Sequence, residues 1–422
     1  MKYTFLFLTY FIVSFVFGQT ALEQQFKEIE PKVIEWRRYF HQNPELSNRE
    51  FKTAEVIADH LNRLGLEVKT GVAHTGVVGI LKGIGPGKVI ALRADIDALP
   101  VTERNDLPFR SDVKTIFLGT ETGVMHACGH DAHTAILMGV AEILSQHKDK
   151  IKGTVKFIFQ PAEETPPPGE DGGSRMMIKE GVLENPKVDA IFGLHIRSGV
   201  NIGEIHYKPG GAMAAVERFV INVKGKQTHG SEPWNGVDPI LISAKIIDGL
   251  QTIISRESEL INEAAVISVG KITSGVRFNI IPESAEMIGT IRTLDPDMKT
   301  LIIKRMTEMT ETIAKAYGGS ATISFSNETA ITYNDHKLVE LMLPSLKKAA
   351  GENNVRQIKA ETIGEDFSYF QELIPGFYFY LGGMTKGNTQ VFPHHTPDFY
   401  IDEKGLLLGV KAFTQITFDY LQ

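Results

Sequence analysis

Past residue 18 the apolar positions first repeat with a helical period. Residues 29–40 and 51–64 each present one apolar stripe, and Gly65 follows the second where a cap is needed. Short β-type runs come next at 77–81 and 89–92, then a helix at 135–144 and strands at 154–159 and 189–194. Apolar strands interleaved with helices predict an α/β sheet covered on both faces. Beyond residue 212 the rhythm changes. A strand at 217–223, a helix at 239–254, strands at 265–271 and 285–292, a helix at 298–317 and a strand at 321–325 give the order β-α-β-β-α-β. That order is the ferredoxin-like split βαβ arrangement. A helix at 336–349, a β run at 377–381 and a closing helix at 406–421 return the chain to the first sheet. The expected organisation is therefore an α/β domain of residues 19–211 and 329–422, with a second domain of residues 212–328 inserted into it.

The first residues stand apart. Met1 and Lys2 precede an uncharged apolar run from Tyr3 to Phe17, and Gly18 offers a small residue before Gln19. This is the pattern of a secretory signal peptide over residues 1–18. The run is shorter than the ~20 residues of a membrane span, so no stable membrane anchor is expected. Export, to a periplasm or out of the cell, gives the cysteine count a meaning. Cys128 is the only cysteine of the chain, so no intramolecular disulfide forms. A lone exported thiol has to be buried or bound. The net charge of −7, with basic residues scattered, carries no nucleic-acid footprint.

Four short segments concentrate chemistry. HACGHDAH, from His126 to His133, holds three histidines, a cysteine and an aspartate. FQPAEE, from Phe159 to Glu164, ends a β run in a proline and two adjacent carboxylates, which repel unless a positive charge shares them. His195 closes another β run, and His394 and His395 lie in PHHTPDF. Each alone has a plainer reading as a structural histidine or a solvated acidic loop. Together they supply more thiolate, imidazole and carboxylate donors than one four-coordinate ion uses, which suits a pair of divalent ions. Zinc or manganese fits first, with cobalt or nickel as further candidates. Such ions acidify bound water and polarise a carbonyl, while a neighbouring carboxylate takes the proton, so hydrolysis is the expected chemistry.

ALRADIDALP (91–100), MHACGHDAH (125–133) and FQPAEE, supported by HQNPELS (41–47), GKQTH (225–229) and GEDFSYF (364–370), resemble peptidase family M20, subfamily D. That group includes N-acyl amino acid amidohydrolases, hippurate hydrolases and plant auxin-conjugate hydrolases. The resemblance implies a metallohydrolase catalytic domain with an inserted dimerisation lid. It makes Cys128 a bridging ligand, with His130 and Glu164 completing one metal site and His195 and His395 the other. It prefers His395 to His394, because the family's ligand stands four residues before an aromatic, here Phe399. Glu163 resembles the general base. Other branches have a histidine ligand where Arg93 stands, so the cysteine arrangement is implied instead. In the inserted domain, His229 resembles a histidine that reaches the partner subunit's active site of a homodimer, and Asn279 and Arg292 resemble a pair that holds the substrate carboxylate. The substrate implied is an N-acyl amino acid or a peptide. The rival readings are a dipeptidase or carboxypeptidase on the same site, or an exported metal-binding protein without activity. The stretch TPPPGEDGGS, 165–174, is longer than the usual link after the paired glutamates and leaves the acyl group open.

Overall fold

The computed structural model describes residues 3–422, and side chains at 22–326 and 329–422. The predicted leader falls outside the described side chains. Among the described residues no helix is long and apolar enough to cross a membrane.

The chain forms two compact units. The first comprises residues 1–207, 335–358 and 373–422, and the second residues 208–334 and 359–372. The stretch 359–372, which sequence periodicity leaves with the first sheet, packs into the second unit.

The first unit is built on an eight-stranded mixed sheet. Its strand order is Glu67–Val72, Gly76–Lys82, Thr154–Gln160, Val89–Asp95, Ala190–Asn201, Gly376–Met384, Ile205–Tyr207, Val355–Gln357. The central Val89–Asp95 strand is buried along its whole length and pairs in parallel with both neighbours. A strand buried on both faces has to read as a continuous apolar run, which is why Val89 to Leu92 is visible in the sequence. The helix His130–Ser145 packs against this sheet with nearly every side chain buried. It starts five residues earlier than its apolar stripe predicts, so His130 and His133 occupy its first turn.

The second unit is a four-stranded antiparallel sheet in the order Ala265–Ser274, Ser284–Thr293, Ala215–Lys224, Ser320–Thr329. Helices Pro239–Thr252 and Pro296–Ala316 pack on it around a core that includes Phe219, Ile246, Met287 and Ile302. Chain order is β-α-β-β-α-β, the ferredoxin-like arrangement. Both helices begin with an aspartate followed by proline. Asp238 accepts from the Ile240 and Leu241 amides, and Asp295 from the Met298 amide. The carboxylate satisfies amides left without intrahelical acceptors, and proline has no amide to lose at that position. Asp295→Ala should therefore lower the stability of the unit by about 1 kcal/mol without changing its fold. A denaturant titration with an unchanged slope and a lower midpoint is the expected result; an unchanged midpoint would refute the cap.

Candidate metal centre

Strand ends create the site. Asp95 and Asp97 leave the carboxyl end of the central strand, and Pro161 to Glu164 leave the parallel Thr154–Gln160 strand beside it. Pairing between Ala190–Asn201 and the central strand stops at Gly193 opposite Arg93. His195 therefore emerges at the same end, although its strand runs on against Gly376–Met384. It lies inside a strand rather than after one. This crevice beyond the carboxyl ends is where α/β sheets place their ligands.

Three turns aim the remaining groups, each through a residue at positive φ. Gly129 precedes the His130 helix at φ 92°, and a Cβ there would meet Ile196 Cγ2 at 2.5 Å. Glycine alone meets both demands. Ala162 has φ 51°, with its amide donating to Glu50 Oε1 at 2.9 Å. His395 has φ 60°, with its amide donating to Ala127 O at 2.8 Å.

The result is a converging donor set. Cys128, His130 and Glu164 offer ligand atoms within 4.8 Å of one another, as do Cys128, His195 and His394. His395 Nε2 stands 3.0 Å from Glu164 Oε1 and 3.4 Å from Cys128 Sγ. Glu163 Oε2 is 3.9 Å from His130 Nε2.

Hydrogen bonds on the far ring nitrogens decide which histidines can bind a cation. His130 Nδ1 faces the Asp97 carbonyl at 2.9 Å and its carboxylate at 3.2 Å, so Nδ1 donates and Nε2 keeps its lone pair. That Nε2 is buried without a hydrogen-bond partner, and Glu164 Oε1 has an ion-pair contact with His395. His195 Nδ1 donates to the Ile196 carbonyl at 2.7 Å, leaving Nε2 facing Cys128 Sγ at 3.3 Å. His133 is different. Its Nδ1 donates to Asp95 at 2.6 Å and its Nε2 accepts the Ile196 amide at 2.8 Å, so no lone pair remains. His394 spends Nε2 on the Ser198 amide at 3.4 Å. His394 keeps a buried Nδ1 without a hydrogen-bond partner, while His395 directs Nε2 at Glu164 and Cys128, so the cluster offers a donor from either neighbour. Asp131, within the same motif, turns away to accept from His41 Nδ1 at 2.8 Å.

Electrostatics call for a cation. Burial, then the charges of Glu164, Glu163 and Asp95, push the Cys128 thiol well above its ordinary range. Burial opposes protonation of His130, yet Asp95, Asp97 and Glu164 together lift it to about 10. Burial, then His133 and Arg197, hold His195 neutral. A divalent ion would take the place of the proton on His130, hold Cys128 as thiolate and satisfy the unpartnered His130 Nε2. Arg93 lies outside this set. Its Nη1 binds Asp95 at 2.5 Å and its Nε binds Gln160 at 2.9 Å, neutralising a buried carboxylate.

Sequence reasoning missed two carboxylates. Asp97 accepts from His130 Nδ1, from Ser47 Oγ at 2.7 Å and from the Glu164 amide at 3.0 Å. It orients one ligand directly and another through its backbone, the kind of support on which metal affinity depends. Its alternation with Asp95 at a strand end was the available signal. Glu50 accepts from the Ala162 amide and from Thr75 Oγ1 at 2.6 Å, and no local pattern marks it.

His229, Asn279 and Arg292 belong to the second unit. His229 pairs with Ile280 in a two-residue ribbon, and the Gly230 amide donates to the Asn279 carbonyl at 2.9 Å. His229 Nδ1 accepts from the Ser231 amide at 3.1 Å, so the exposed ring carries its proton on Nε2. Arg292 sits on the Ser284–Thr293 strand, where Nη1 donates to the Thr362 carbonyl at 3.4 Å.

Thiol, imidazole and carboxylate donors at the carboxyl ends of parallel strands, with a second carboxylate alongside, fit a metal-dependent hydrolase. The sequence profile of Peptidase family M20/M25/M40 matches residues 91–419. Thermostable carboxypeptidase 2 of Saccharolobus solfataricus is 40% identical over 393 residues, which are 93% of this chain and 96% of that protein. N-acetylcysteine deacetylase of Bacillus subtilis is 38% identical over 393 residues, 92% of this chain and 97% of that one. The crystal structure of the Bacillus subtilis YXEP protein, a dinuclear metal binding peptidase from the M20 family, superposes with a TM-score of 0.77 at 36% identity, covering 94% of this chain and 99% of that chain. The chain belongs to peptidase family M20/M25/M40 and is a metal-dependent amide hydrolase.

Glu50 makes the site's support sensitive to pH. Burial, then the Asp97 charge, push its carboxyl up to about 8 from an ordinary 4.5. A folded value above the unfolded one means that the native state keeps a proton which the unfolded chain releases across that window. The contribution to stability falls as pH rises through it and levels off above about 8. In metal-free protein, the melting temperature of Glu50→Gln relative to wild type should therefore shift in the variant's favour between pH 5 and pH 8, by analogy with any carboxyl titrating over about that range. A difference that stays constant with pH would count against the assignment.

Proposed function

We propose that this enzyme hydrolyses the amide bond of N-acyl amino acids, using two divalent ions, zinc or manganese, and Glu163 as general base. The observation that carries the reading is the adjacent pair Glu163 and Glu164. Glu164 Oε1 faces His130 and His395 within the donor set, while Glu163 extends beside it near His130. Cys128, His130 and Glu164 would hold one ion, and His195 and His395, with Cys128 between, the other. When bound, the metals acidify water and polarise the substrate carbonyl. Glu163 takes the proton from the attacking water and delivers it to the leaving nitrogen. His229, protonated on Nε2, donates to the oxyanion of a neighbouring subunit's substrate, and Asn279 and Arg292 hold the carboxylate of the amino-acid half.

The deacetylase named above supports an acyl group on the amino side of the bond, and the carboxypeptidase supports a free carboxylate on the other. A carboxypeptidase is the second reading. Turnover of N-acetyl-methionine against alanyl-methionine separates the two, since a preference for the free amino group favours peptidase action. Homodimerisation is supported by the outer strand Ala265–Ser274, whose Val266 and Ile272 are exposed, and by Val276 and Phe278, which are almost fully exposed close by. We read the leader as directing export to a periplasm or beyond.

Glu163→Gln should abolish turnover and retain both metals, whereas Glu164→Gln should lose metal together with activity. Elemental analysis of the purified variants decides this, and full metal content in the Glu164 variant would reverse the roles.

His229→Ala should keep its metals and lose about 10²–10³ in turnover, the usual cost of one oxyanion donor. Mixing it with Glu163→Gln under subunit exchange should restore about a quarter of wild-type activity, because half of the dimers then carry one intact site of two. Confirmed exchange without recovery would exclude action in trans.

A further inference from the structure

Beside the donor set, and wholly within the first unit, lies a cavity of 680 Å³. Leu46, Leu99, Ile116, Leu118 and the run Pro166 to Pro168 form its apolar walls, and Glu164 stands at its edge. We propose that this cavity receives an uncharged aliphatic acyl chain, considerably longer than acetyl, from the substrate. The inference rests on the amidohydrolase reading and names the substrate class for it.

Continuity with the reacting centre identifies the occupant. Glu164 lines the cavity and also belongs to the cluster with Cys128 and His130. A chain lying in the cavity therefore ends within reach of that cluster, where the acyl carbonyl would stand. The volume falls in the usual range for small-molecule sites, about 300–1,000 Å³, and an acetyl group would leave most of it unfilled.

Charge narrows the class. Among the described lining residues the one cation is Arg49, and Glu170 already engages it at 3.0 Å on Nη1 and 2.5 Å on Nη2. An acyl group bearing a second carboxylate would find no unclaimed partner there. The side chains Ile116 and Leu118 are 75% and 71% exposed at the tip of the hairpin formed by Lys114–Phe117 and Thr120–Gly123. Exposed apolar groups beside a concave wall gain by being covered, and an aliphatic chain covers them without demanding hydrogen bonds.

The wall is also tied in place. Asn48 Nδ2 donates to Glu170 Oε2 at 3.1 Å and to the Asp171 carbonyl at 3.0 Å, and His74 Nε2 reaches the same carbonyl at 3.1 Å. At the other end the Glu164 amide is fixed on Asp97. The proline run between these anchors has few conformations to lose on binding.

The test compares N-octanoyl-L-methionine with N-acetyl-L-methionine. Metal-loaded wild type should hydrolyse the octanoyl substrate with kcat/KM about tenfold higher or more. Ile116→Asp and Leu118→Asp alter exposed hairpin positions, and Leu118 has φ 50°, a conformation aspartate tolerates, so both variants should fold. Each should lower kcat/KM for the octanoyl substrate by about tenfold and leave the acetyl value unchanged. Calorimetry on Glu163→Gln protein should show tighter binding of the octanoyl compound, and Ile116→Asp should remove that advantage. Equal kcat/KM for the two substrates in wild type, or variants that slow both alike, would overturn the cavity assignment while leaving the amidohydrolase reading intact. Fully metallated wild type that hydrolyses neither substrate would sink the amidohydrolase reading, and the cavity assignment with it.

Discussion

A thiol, two carboxylates and three imidazoles cannot share one crevice unless their protons and lone pairs are arranged in advance. The arrangement depends on the hydrogen bonds behind the donors. Asp97 carries the largest part of it, because one carboxylate orders the His130 ring, the Glu164 backbone and the Ser47 hydroxyl. The Ile196 carbonyl does the same for His195. Each far-side bond directs a near-side lone pair inward, and burial keeps competing water from rotating it away.

The same bookkeeping separates ligands from supporters among residues of one chemical type. His133 differs from His130 by three positions on one helix, yet both of its nitrogens are committed, to Asp95 and to the Ile196 amide. Burial opposes the charge on Asp95, and His130, His133 and Arg93 together hold it ionised, Arg93 through a direct ion pair. Asp95 and Asp97, at and just past the end of the central strand, thus spend their oxygens on His133, Arg93, His130, Ser47 and the Glu164 amide, while Glu164 comes from the loop after the neighbouring strand.

Much of this was legible in the sequence. The buried parallel strands and the amphipathic helices announce themselves through apolar periodicity, and the order β-α-β-β-α-β follows from it. Cys128, His130, Glu164, His195 and His395 stand in segments whose composition no packing demand explains, and the fold brings them together. Other features had no local signal. The Lys114–Gly123 hairpin is written in threonine, glutamate and glycine, with Ile116 and Phe117 too few to set a period. The helix of His130 begins before its apolar stripe because its first turn is buried through polar contacts instead. Residues 359–372 join the second unit through pairing far along the chain, such as Glu361 with Met213, which no window of neighbours can reveal. Glu50 is recognisable only by what folds over it.

The segment after the paired glutamates is suspended between two fixed points, the Glu164 amide on Asp97 and the Asp171 carbonyl on Asn48 and His74. The residues between those points supply none of the donor atoms, so exchanges there leave the anchors of the donor set in place. A lineage that retains the anchors is thus at liberty to vary what it consumes while preserving how it cleaves. Diversification of diet, in such a protein, requires no trial of the catalytic machinery.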